Sequence, residues 1–364
     1  MKKPPPPVAI VARERAAFVP AIDLWLDPPR ARDWGFVSHA HADHFARHRR
    51  LLCSRPTRTL IEARYAPKRT EFVALDFGEP LDIGGHRLRL YPAGHIAGSA
   101  QLHVESLATG ASLLYTGDFK ARPGHAAEAP EWPRADTLVM ETTFGHPRYR
   151  LPAAEEVVAG MGQFVRETWN AGAVPVLLCY SLGKAQETIL ALERSLPGPL
   201  KWRVHPAIEE MNRAVAGLGF PLPVCETFDP KTGDPLAAAG PDEIVMMPPM
   251  ARRFSAGPSG DRPLRVAMIT GWGIDPSARY RFGVDAVFPL SDHADYDDLH
   301  RCVERVAPRR VYTVHGYTKE FAADLRRNGW DAWSLEGGDQ IELDLFADGE
   351  PPGSKGRSSM ESAQ

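Results

Sequence analysis

The 364-residue sequence predicts an α/β protein in which one fold is split around another. Three observations carry this expectation. Short apolar runs repeatedly end in a histidine or a carboxylate beside small residues. Between 151 and 279 that series stops and regular alternation of strands and helices replaces it. At His293 the series resumes, followed by two amphipathic helices.

In chain order, residues 1–12 carry the run Pro4 to Pro7 and read as a disordered arm. A strand over 21–26 stops at Asp27-Pro28-Pro29. The apolar run 34–37 leads into Ser38-His39-Ala40-His41-Ala42-Asp43-His44. The alternating stretch 88–92 ends before His95, 112–116 before Asp118, and 137–140 at Glu141. Apolar residues Val157, Val158, Met161, Phe164 and Val165 at helical spacing predict a helix over 154–170, stopped by Gly172. A strand at 174–180 and a helix at 181–196 follow. His205-Pro206 opens another helix, with proline suited to the first turn. Strands at 244–247 and 266–270 complete an inserted α/β unit. The run 286–290 then leads to Ser291-Asp292-His293, and 310–314 leads to His315-Gly316. Helices are expected at 295–306 and 318–328, and the polar tail 347–364 reads as disordered. The expected organisation is an arm (1–12), a first fold in two pieces (13–150 and 280–346), the insert (151–279) and the tail.

Composition narrows the function classes. Hydrophobic residues make up 43% of the chain, enough for a sizeable core. Lysine and arginine (43) nearly balance aspartate and glutamate (46), so any nucleic-acid footprint must be local. Cys53, Cys179, Cys225 and Cys302 are scattered, which fits reduced thiols and argues against a disulfide framework or a cysteine zinc site. No apolar run is long enough to span a membrane, so we expect a cytoplasmic protein with no membrane partner.

The His39-x-His41-x-Asp43-His44 cluster asks for a cation, because imidazole nitrogens and carboxylate oxygens suit zinc. Its four side chains are too many for one open catalytic zinc and too few for two, so ligands must also come from other strand ends. We expect two zinc ions, with manganese as the alternative metal. His39, His41 and His95 would hold one. Asp43, His44 and His315 would hold the other, and Asp118 would bridge. Asp27, with Asp23 as its rival, would orient a ligand histidine. Glu141 and His293 remain as a carboxylate–histidine pair suited to general-acid work, and with Asp43 they form the candidate catalytic set. Lys184, Arg252, Arg253 and Arg279 are candidate phosphate contacts, in the company of Arg262, Arg265 and Arg281.

The set His39-x-His41-x-Asp43-His44, His95 and Asp118 resembles the metallo-β-lactamase superfamily. Glu141-Thr142-Thr143-Phe144-Gly145, Ser291-Asp292-His293-Ala294-Asp295 and Val314-His315-Gly316 resemble the three added motifs of its β-CASP nuclease branch. Tyr180-Ser181-Leu182-Gly183-Lys184-Ala185-Gln186-Glu187 resembles the helix start of that branch's inserted cassette. The resemblance implies a four-layer αββα sandwich with an inserted β-CASP domain, zinc, and nuclease activity. Residues 21–28, 180–186 and His315-Gly316-Tyr317 are most similar to the bacterial DNA ligase-associated exonuclease group. That implies a DNA exonuclease in repair, beside an ATP-dependent DNA ligase and a helicase. His315 keeps RNA as the alternative substrate, since histidine at the third motif is typical of RNA-processing members. Three other readings compete. A small-molecule hydrolase of the same superfamily is opposed by the insert and the Glu141–His293 pair. A non-catalytic binding subunit would be marked by degraded ligands. A serine β-lactamase is echoed by Ser181-x-x-Lys184 and Lys231-Thr232-Gly233 but lacks S-D-N. No phosphate-binding G-x-x-x-x-G-K-[ST] occurs.

Overall fold

The computed structural model describes residues 6–228, 239–240, 242–252 and 262–335, and of Arg252 only the backbone. The expected tail lies outside the described residues. Among those described, two sheets stack face to face and a third stands apart.

The first sheet runs in the order Val11–Arg13, Ala16–Val19, Leu24–Leu26, Trp34–Phe36, Arg50–Ser54 and Glu71–Leu75, parallel from Leu24 onward. The second runs Ala332–Ser334, Arg310–Gly316, Thr137–Thr142, Ser112–Tyr115, Ala100–Ser106, His86–Pro92 and Leu81–Ile83. Period-two alternation sorts their side chains. Leu24, Leu26, Phe36 and Leu52 from one sheet meet Leu88, Leu90, Leu102, Leu113, Tyr115 and Val139 from the other. The intervening residues face outward and need covers. Helix Arg55–Tyr65 brings Leu60 and Ile61 onto Leu51 and Cys53. Helices Tyr296–Val306 and Thr318–Arg327 bring Leu299, Val303, Phe321 and Leu325 onto Leu114, Leu138 and Met140. This is the αββα sandwich. Each fully buried leucine contributes roughly 1.5–3 kcal/mol.

In the third sheet every described pairing is parallel, in the order Glu226–Thr227, Lys201–Val204, Glu243–Met247, Val174–Leu178, Leu264–Ile269 and Ala286–Phe288. Both faces are apolar, as parallel strands require. Helices Ala154–Asn170 and Lys184–Ser195 cover one face through Met161, Phe164, Ile189 and Leu192.

The structure departs from expectation in four places. Val8 is buried in the sandwich core and a strand begins at Val11, so order starts inside the expected arm. The strand expected over 21–26 begins at Leu24, because Pro20–Ile22 forms one 3-10 turn. The helix expected from Ser181 begins at Lys184, after Gly183 at φ +88°. Ala286–Phe288 pairs with the third sheet, so that sheet extends past residue 279. No helix among the described residues is long and apolar enough to cross a membrane.

Candidate metal centre

Strand direction brings the site together. Leu24–Leu26 and Trp34–Phe36 are parallel and end at Asp27 and at Ser38-His39. In the second sheet Ser112–Tyr115, Thr137–Thr142 and Arg310–Gly316 are parallel, ending at Asp118, Glu141 and His315. His86–Pro92 is antiparallel to Ala100–Ser106, which is antiparallel to Ser112–Tyr115. His95 therefore reaches the same edge. Gly117 makes the close approach: at φ +56°, a Cβ there would stand 2.5 Å from Ser38 Cβ.

Three donor sets converge, each within 4.8 Å internally: His39, His41 and His95; His39, His44 and Asp118; and His95, Asp118 and His293. His41 Nδ1 lies 3.0 Å from His39 Nε2 and 3.2 Å from His95 Nε2. The far nitrogens fix the tautomers. His41 Nε2 is 3.1 Å from the Leu182 carbonyl oxygen, and His95 Nδ1 is 2.9 Å from that of Asp292. A carbonyl only accepts, so those nitrogens carry the hydrogens. His41 Nδ1 and His95 Nε2 are then bare lone pairs facing each other, an arrangement that a cation relieves. His39 Nδ1 contacts Ser38 Oγ at 2.9 Å. Burial, reinforced by neighbouring imidazoles, holds His39 and His95 well below their ordinary pKa, and burial lowers His41. Neutral imidazole is the form that binds metal. The donor set therefore fits zinc.

His44 is different. Burial opposes its charge, but Asp118, Asp43 and Asp27 carry its pKa well above the ordinary value. Its Nε2 lies 3.2 Å from Asp118 and 3.7 Å from Asp43, and its Nδ1 lies 3.1 Å from Asp27 Oδ2. Asp27 also accepts from Ser38 N–H at 2.7 Å and Tyr115 O–H at 2.9 Å. Asp23 instead ends the 3-10 turn and is exposed, so Asp27 faces the site and Asp23 does not. Burial alone would raise Asp118, yet His44 and His293 hold it well below the carboxylate range.

Glu141 is fully buried. It accepts from Phe119 N–H at 2.9 Å and lies 3.0 Å from His293 Nδ1. Burial disfavours the imidazolium, but Glu141 and Asp118 outweigh it and lift His293 to about 9. His293 Nδ1 is therefore anchored, with the ring 4.6 Å from that of His95.

Two expected ligands stand at the margin. Asp43 is 57% exposed in its side chain, and the His315 ring lies 5.7 Å from the His44 ring, with His315 in the left-handed region at φ +54°. Neither belongs to the three tight sets. Lys184 requires correction as a phosphate contact. It is buried, its Nζ 2.8 Å from Asp292 Oδ1, and so is already neutralised and closed to solvent. Arg279 is exposed on the short helix Ala278–Phe282. Arg253 and the Arg252 side chain lie outside the described residues. Sequence reasoning missed Ser38, Tyr115, Leu182 and Asp292 as partners of the ligand-type side chains.

A cavity of about 140 Å³ opens beside His293, lined by Lys120, Arg122, Ser291 and Asp295 among others. A larger groove of about 640 Å³, lined by Trp25, Arg32, Arg47, His48 and Arg69, includes none of the ligand-type histidines of the centre and lies toward the opposite ends of the first-sheet strands.

Residues 284–335 match the family described as "Zn-dependent metallo-hydrolase RNA specificity domain". A "Probable DNA ligase" of Opitutus terrae is 44% identical over 329 residues, covering 90% of this chain and 31% of that protein. "Transcription termination factor FttA" of Thermococcus kodakarensis is 31% identical over 317 residues, covering 70% of this chain and 49% of that protein. The Methanothermobacter thermautotrophicus protein of the same name is 28% identical over 43% of this chain and 30% of its own length. The chain thus spans between about a third and a half of these relatives. A crystal structure of a protein of unknown function from Enterococcus faecalis V583 shares the fold, with a TM-score of 0.57 at 13% identity over 84% of this chain and 80% of that one. In the present chain, strand ends gather histidines and carboxylates at one edge of an αββα sandwich and a parallel-sheet unit interrupts that sandwich; with the matched zinc-dependent metallo-hydrolase domain at 284–335, the chain is similar to the β-CASP branch of the metallo-β-lactamase superfamily.

Proposed function

We propose that this chain is a zinc-dependent nuclease that hydrolyses phosphodiester bonds, with DNA as substrate and an exonuclease role in repair beside an ATP-dependent DNA ligase and a helicase. One observation carries the reading. Asp118 Oδ2 stands 3.2 Å from His44 Nε2, 3.8 Å from His39 Nε2 and 4.0 Å from His95 Nε2, between two ligand groups. His39, His41 and His95 would hold one ion, and Asp43, His44 and His315 the other, with Asp118 shared. Bound zinc supplies an acidified water and neutralises phosphate charge. The protein does the rest. Asp27 holds the His44 ring, and the Leu182 and Asp292 carbonyls hold His41 and His95. Glu141 keeps His293 protonated, so His293 can give a proton to the leaving oxygen.

The ligase assignment is supported by the Opitutus terrae relative, which is named a probable DNA ligase. The four cysteines are free and buried, which supports the reducing cytoplasm. A second reading, an RNA-processing ribonuclease, is favoured by the description of the matched family and by His315. End-labelled single- and double-stranded DNA and RNA, digested with zinc or manganese and with chelator controls, tests both. Chelator-sensitive, progressive shortening of DNA is expected. Selective cutting of RNA replaces the first reading with the second, and no cutting of either refutes both.

A further inference from the structure

We propose that the loop 180–184 of the insert is a positioning element for the histidine pocket, fixing His41 and His95 in their ligating orientation and thereby setting metal affinity. The inference rests on reading those histidines as ligands. Metal-bound histidines hold their rings through the nitrogen that does not bind, and loss of that partner typically weakens metal binding 10–100-fold. Here one partner comes directly from the insert, the Leu182 carbonyl on His41 Nε2, across 141 positions of sequence. The other is the carbonyl of Asp292 on His95 Nδ1, and the Asp292 carboxylate is tied to Lys184 Nζ at 2.8 Å with both side chains buried. Between these contacts lies Gly183. At φ +88°, a Cβ there would come within 2.3 Å of Ile96 Cγ2, next to His95. Only glycine lets the loop come this close.

The loop is itself rigidly held. Gln186 accepts from Gly183 N–H at 2.7 Å and donates to the Ser181 carbonyl at 2.9 Å and to Asn212 Oδ1 at 2.8 Å. One turn on, Glu187 pairs with Lys120 at 3.2 Å and accepts from the backbone of His125 and Ala126. A loop that merely filled space would need no carbonyl aimed at a histidine nitrogen.

The test measures zinc affinity by chelator competition, and visible absorption of the cobalt-loaded protein, for the whole chain and for Gly183→Ala, Lys184→Met and Lys184→Met/Asp292→Asn. Near-ultraviolet circular dichroism and melting of the metal-free proteins report the fold. Gly183→Ala is expected to bind zinc about 10–100-fold more weakly and to alter the cobalt spectrum. Lys184→Met, which strands a buried carboxylate, loses both stability and affinity. The double variant removes the stranded charge and is expected to recover melting temperature but not zinc affinity. Recovery of both makes the ion pair merely structural and overturns its positioning role. If Gly183→Ala misfolds, the double variant decides. Folded variants with wild-type zinc affinity and cobalt spectrum overturn the proposal while leaving the ligand reading standing. A wild-type chain that takes up no zinc sinks the ligand reading and this inference with it.

Discussion

The two halves of the candidate centre are built to different standards. His39, His41 and His95 form the tight half: each ring has one nitrogen turned to the others and the second engaged by Ser38 Oγ, the Leu182 carbonyl or the Asp292 carbonyl. Neutral and preorganised, they need little adjustment to receive an ion. In the other half His44 lies between two carboxylates, its Nδ1 3.1 Å from Asp27 and its Nε2 3.2 Å from Asp118. Asp43 projects toward solvent and His315 stands farther off. The difference teaches that the edge near the insert is fixed by its own hydrogen bonds, whereas the other side is more exposed and more widely spaced. Metal should accordingly bind the two halves with unequal affinity.

Four experiments would break or sharpen that contrast. The largest effect is expected from Asp118→Ala, because Asp118 is shared by both halves, or from His39→Ala, because His39 belongs to the tight half and stands 3.8 Å from Asp118. Metal content by mass spectrometry should fall from two ions per chain to one or none, and hydrolysis to background. Variants that retain both ions would end the two-ion account. Next, Glu141→Gln or His293→Asn should keep the tight half loaded while lowering kcat by about 10²–10⁴-fold, the range for a general acid. Unchanged kcat with full metal would remove the pair from catalysis.

Asp27→Asn acts on the looser half alone. It should weaken uptake of the second ion by about 10–100-fold and leave the first unaffected. Equal weakening of both ions would show that the halves are not independent. Tyr115→Phe, which removes one hydrogen bond to Asp27, should do the same by a factor of about 3–10.

The smallest effect concerns His48, a buried histidine outside the centre. Burial lowers its pKa from 6.5 to about 4, and its Nδ1 accepts Arg32 N–H at 3.0 Å. Between these values the unfolded chain binds the proton and the native chain does not. Stability from this group is thus full above pH 6.5 and is lost as pH falls toward 4, by roughly 1–3 kcal/mol. His48→Gln should flatten that part of the metal-free acid-unfolding curve. A curve identical to wild type would show that His48 is not the titrating group.

Much of this was legible in the sequence because strand ends carry their own signature. An apolar run followed by His95, Asp118 or Glu141 names both the strand and the edge, and parallel pairing then gathers the edges. The segment from Arg50 to Leu75 was not legible. Helix Arg55–Tyr65 buries only Thr57, Leu60 and Ile61, too narrow a stripe to stand out, although the Ser54 cap and the proline behind it mark its start. Asp23 and Asp27 could not be ranked by spacing, since the choice depends on where one turn ends. The partners of His41 and His95 left no trace at all, because a backbone carbonyl has no residue identity and these lie 141 and 197 positions away.

The edge strand Ala286–Phe288 belongs to the parallel sheet, yet His293 follows it by only five positions. Anyone exchanging cassettes between relatives should place the downstream junction beyond Phe288. A graft cut at residue 279 would leave the transplanted sheet without its last strand and would re-aim the imidazole that Glu141 holds.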